Sequence, residues 1–82
     1  MGEQTLYLIQ AFSESTRGRL LIDAPIRCIS ERAARAGAER LANTKAGVMA
    51  LVMRGDMSKG LDHAHTEILY QSGRIPEEIT IT

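Results

Sequence analysis

The sequence predicts an α+β fold: a four-stranded, mainly antiparallel sheet with one helix packed on one face. Three observations predict it. Two strand-like stretches precede a helix-forming segment rich in Ala, Arg and Glu. Two more strand-like stretches follow that segment. The first of those, Val48-Met49-Ala50-Leu51-Val52-Met53, is apolar at every position, the pattern of a strand covered on both sides.

The first strand is Thr5 to Phe12, TLYLIQAF, which joins β-branched, aromatic and aliphatic residues with no turn former. The polar run from Ser13 to Gly18 has the composition of a hairpin loop. Strand character returns over Arg19 to Ile29, where Pro25 lacks an N–H and so places the strand at an edge or bends it. Ser30 is suited to cap the helix, because its hydroxyl can accept from a free N–H of the first turn. The helix is expected over Glu31 to Lys45, with a stripe of Ala34, Ala38 and Leu41 and with Ala33 and Gly37 beside it. Glu31, Arg35 and Glu39 are spaced four apart and can pair on the solvated side. Gly47 stands where a left-handed helix cap is expected. The last strand is expected over Ala64 to Ser72, with Thr66, Ile68 and Tyr70 on one face. The preferred strand order is 2-1-3-4, which puts the Pro25 strand at an edge and the most apolar strand inside.

The 82 residues suit one domain, 1–82, with residues 75–82 as a candidate C-terminal tail. A chain of this size buries only about 60% of its unfolded surface. Ten Lys and Arg residues balance ten Asp and Glu, and this neutrality counts against a nucleic-acid partner, whose phosphates call for a basic excess. The single Cys28 cannot form an internal disulfide, and the N-terminus lacks a signal-peptide pattern. With no apolar run near membrane-spanning length, the expected setting is cytoplasmic, without a membrane partner.

No motif points to catalysis, a metal or a cofactor. His63-Ala64-His65 could direct two imidazoles to one side of a strand, but two ligands alone make no metal site. Cys28 lies just before the helix without a neighbouring base, and its plainer role is a packed thiol. The leading expectation is therefore a small non-enzymatic module that oligomerises, as a homodimer, or docks an unidentified protein. A single helix covers one side of the sheet, so the other apolar side needs cover, either from a partner or from the C-terminal tail with Ile75, Ile79 and Ile81 folded back over it. The candidate interface is Met49, Leu51, Met53, Tyr7 and Ile9. The alternative is a small anionic-ligand-binding protein using Arg27, Arg32 and Arg35 around the helix start, where an anion would relieve crowded positive charge.

Three stretches, YLIQAF at the start, Pro25-Ile26-Arg27-Cys28 before the helix and Ala46-Gly47-Val48 opening the next strand, carry a resemblance. Through them the chain resembles a group of short bacterial proteins of about 80 residues and unknown function. That resemblance implies the strand-strand-helix-strand-strand order and no activity. The opening LYLIQAF followed by Ser is also superficially similar to the sporulation-related repeat that binds cell-wall glycan. In that family a helix comes next, where this chain has a second strand.

Overall fold

A computed structural model describes residues 3–56 and 65–76. Its elements are β1 (Gln4–Glu14), β2 (Leu20–Ile22), β3 (Ile26–Cys28), α1 (Glu31–Leu41), β4 (Gly47–Gly55) and β5 (His65–Gly73). One antiparallel sheet runs β2-β1-β4-β5, and β3 continues the β2 edge along the other half of β1. The fold is α+β with five strands among the described residues, where the sequence alone gives reason to expect four.

The extra strand has a simple cause. Phe12 pairs with Ile22 and Ile9 with Ile26, so four steps along the edge match three along β1. The segment Asp23-Ala24-Pro25 holds the surplus residue, at the proline that cannot donate to a ladder. The break is nevertheless tied down. Asp23 N–H donates to Ala11 O at 3.1 Å, and Gln10 Nε2 donates to Asp23 O at 2.6 Å.

Helix α1 begins as expected. Ser30 has extended backbone, and its Oγ accepts from Ala33 N–H at 3.0 Å. The helix ends at Leu41 rather than Lys45. Asn43 and Thr44 N–H turn to carbonyls three residues back, Arg40 O and Leu41 O, a tightening typical of a helix end. Gly47 is no left-handed cap; it is the first residue of β4. Its lack of a side chain serves a close approach instead, since a Cβ there would stand 1.8 Å from Arg74 O.

Register sorts the side chains into two layers, because directly opposed residues of an antiparallel pair share a face. Tyr7, Ile9 and Ala11 oppose Val52, Ala50 and Val48. Ile9, Ala11, Val48 and Ala50 pack with Ala34 and Ala38 into the core beneath the helix. The small helical residues let α1 lie close, and a Cβ on Gly37 would come within 2.7 Å of Ile9 Cδ1. On the far side Phe12, Met49 and Leu51 form a second buried cluster, against which Leu20 and Ile75 pack. Part of the second face is therefore covered by the chain itself, with Ile75 of the candidate tail packing against it. Ile79 and Ile81 lie outside the described residues.

In β5 the sequence pattern misplaced one residue. Ala50 pairs with Tyr70 but Leu51 pairs with Ile68, so Leu69 is a bulge. Thr66 and Ile68 stay on the far face with Met53 and Leu51, while Tyr70 is carried to the helix side, where it and Leu69 join the first core.

Asp23 also ties the edge to the helix exit. Its carboxylate accepts from Lys45 Nζ at 2.9 Å and from Ser13 Oγ at 2.9 Å. Lys45 and then Ser13 hold its carboxyl below the usual 3.8. A carboxyl lowered by folding stabilises the native chain fully above its unfolded value, and that contribution fades as the pH falls through the folded value. Asp23→Asn is accordingly expected to lower the melting temperature at neutral pH. The deficit against the native chain should shrink in melts recorded below about pH 3.8.

Candidate functional site

Two surfaces stand out, and the predicted residues are divided between them and the cores. On the far face of the sheet the cross-strand rows are Leu6–Met53–Thr66 and Leu8–Leu51–Ile68. Met49 is 1% exposed and Leu51 is 9%, so both belong to the chain's own interior. Met53, Leu6 and Leu8 are half-buried, and Ile68 is 45% exposed. Tyr7 and Ile9 lie on the opposite face under the helix, where Ile9 is buried. The five candidate interface residues thus do not form one surface. Alternation along β1 separates Tyr7 and Ile9 from Leu6 and Leu8, and only the latter stand beside Met53 and Leu51.

The arginines around the helix start do not converge either. Arg35 Nε pairs with Glu31 Oε2 at 2.9 Å, one helical turn away, rather than with Glu39. Arg32 is exposed on α1, and Arg27 sits on β3 opposite Leu8. The Ser30 cap already takes one of the free N–H groups of the first turn.

The second surface is a groove of about 490 Å³ between β3 and α1. Ile26 and Ile29 form one wall, Ala33, Gly37 and Leu41 the other, and Ile9 contributes to the floor. The groove exists because the middle of the helix presents Ala33 and Gly37 toward β3, so the volume a larger side chain would fill there stays open. Cys28 also lines it, as a free thiol that is half-buried. Arg27 borders it from β3, and Arg40 from the last turn of α1, where a cation suits the helix dipole. Arg40 Nη2 lies 4.0 Å from the position of a Cβ on Gly37, so the guanidinium folds back over the groove. A second cleft of about 420 Å³ opens beyond Cys28 toward Thr5 and Tyr7.

Sequence reasoning missed Ile26, Ile29 and Arg40. A signal was present at Ile29. It precedes the N-cap, the position whose apolar side chain commonly staples to the fourth helical residue. Here that residue is Ala34, fully buried and too short to meet it, and Ile29 is left 95% exposed.

Among the described residues no three His, Cys, Asp or Glu side chains gather into a metal site. His65 is exposed beside Glu67, with 3.8 Å between Nε2 and Oε1, and His63 lies outside the described residues. No described helix is long and apolar enough to cross a membrane. Comparisons with protein-family models, with curated proteins and with solved structures found no match to this chain.

Proposed function

We propose that this chain is a small non-enzymatic interaction module that pairs with a second copy through the sheet face away from the helix. The observation that supports this reading is the row Leu8–Leu51–Ile68 with Leu6 and Met53 beside it, apolar across three strands and ending in the exposed Ile68. A face, rather than an edge, suits the pairing. One edge is broken at Pro25 and the other is bulged at Leu69, and both irregularities hinder strand addition. A two-fold axis is the commonest way for such a face to meet its copy.

Light scattering at tens of micromolar is expected to give twice the monomer mass. Met49 and Leu51 are poor probes because they are buried, and an acidic residue there would unfold the chain. Ile68→Asp tests the surface itself and should raise the dimer dissociation constant roughly a hundredfold, as loss of a central anchor does. Ile26→Asp, on the helix side, should leave it unchanged. A native chain that scatters as a monomer overturns the reading. The anionic-ligand alternative at the helix start has less support, since Glu31 holds Arg35 and Ser30 caps the first turn.

A further inference from the structure

The groove beside α1 lies on the other side of the sheet from the proposed dimer face and carries a separate inference. Its two walls are aliphatic, and one of them includes Ile29, almost wholly in water. An exposed isoleucine next to a concave apolar surface is the arrangement that a ligand's hydrocarbon would cover. Arg40 supplies the polar element. Its guanidinium stands over Gly37, and no carboxylate among the described residues pairs with it, whereas Arg35, Arg54 and Arg74 each have an acidic partner. Arg27 of β3 borders the groove as well, so its apolar walls carry arginines without an acidic partner among the described residues, and they are complementary to a molecule with a hydrocarbon body and an anionic head.

Size narrows the class further. From Ala33 to Leu41 the helical wall runs roughly 12 Å at about 1.5 Å per residue, close to the length of an extended ten-carbon chain. The space of about 490 Å³ is that of a small-molecule site. The geometry points to a binding site for a free medium-chain monocarboxylate, with its tail along Ile26, Ile29 and Ala33 and its carboxylate against Arg40. Arg40 has the planar donor fork that a carboxylate accepts from at two oxygens.

Cys28 lines the groove and is the chain's one cysteine, so its reaction with a thiol reagent reports occupancy directly. Decanoate, below its micelle concentration, is expected to slow modification of Cys28 about tenfold at roughly ten times its dissociation constant, and to raise the melting temperature. Decanol at the same concentration should protect weakly, and decyltrimethylammonium and acetate not at all. Arg40→Gln removes an exposed side chain that makes no ion pair among the described residues. It should weaken decanoate about tenfold and abolish the preference over decanol. Ala33→Leu, which fills the groove, should block decanoate while the melting temperature without ligand stays close to native. Equal protection by all three ten-carbon compounds, protection by acetate alone, or an unchanged preference in Arg40→Gln overturns the assignment. Protection by vesicles of anionic phospholipid, but not by dissolved decanoate, replaces it with a membrane surface. Light scattering of the decanoate-bound chain keeps this outcome distinct from that of the dimer proposal.

Discussion

Gly47→Ala is expected to destabilise the chain by about 3 kcal/mol or more, near the top of what a single methyl group can do. The added Cβ would stand 1.8 Å from Arg74 O and 2.7 Å from Arg74 C, both backbone atoms. Neither can swing aside as the end of a side chain can. The neighbouring bond from Arg74 N–H to Ala46 O, at 2.9 Å, fixes this backbone where it is. Gly47 also pairs directly with Gly73, whose φ of 78° and own close approach to Ala46 O leave that residue unable to yield. Accommodating the methyl group therefore means parting the start of β4 from the end of β5. In a domain of this size the melting temperature should drop by roughly 12–25 °C, read from the loss of far-ultraviolet ellipticity on heating. Gly18→Ala supplies the comparison. Gly18 has φ of 82° in an open turn with no backbone nearby, so only about 1 kcal/mol of conformational strain is expected there. A loss at Gly47 no greater than at Gly18 would contradict the close-approach account.

Phe12→Ala should cost about 3–5 kcal/mol, a large share of the total stability of an 82-residue domain. Phe12 is fully buried and leads the larger side chains of the interior. It lies in the cluster with Met49 and Leu51, on the side of the sheet away from α1. The surrounding strands are held by the ladder to β4 and cannot collapse into the space left behind. Urea titration should show a lower midpoint with an unchanged slope, the sign of lost stability without a change in compactness. Leu21→Ala, at a half-exposed edge position, should cost under about 1 kcal/mol. If Phe12→Ala proves equally mild, the far side of the sheet is not a second core.

Several elements could be read before any coordinates were known, and for local reasons. Ser30 announces its own cap, and the Ala34–Ala38 stripe announces a helix lying close to its sheet. Unbroken apolarity from Val48 to Val52 announces a central strand. What escaped depends on pairs distant in the chain. Pro25 signals a break, but the surplus residue that makes two strands of one appears only when Ile9 and Phe12 are matched to their partners. The bulge at Leu69 is equally silent, so simple alternation keeps Tyr70 on one face with Thr66 and Ile68, where the register separates them. Alternation along β1 names two faces without saying which one meets the helix, so nothing local separates Tyr7 and Ile9 from Met49. Gly47 misled because a glycine after a helix has two uses, a left-handed turn or room for another backbone, and nothing local separates them. The groove was legible in part, through an isoleucine before the cap with only Ala34 to meet it.

One consequence of the topology concerns time. Strand β1 is the hub of the sheet, paired along one side with β2 and β3 and along the other with β4. As the chain emerges during synthesis, β1 first meets only the two short edge pieces, a ribbon too slight to persist in water. Its nine-residue partnership with β4 becomes available only once Gly55 has been made, after the helix is already present. Strand β1 therefore waits, its apolar residues unshielded, for a companion translated some forty residues later.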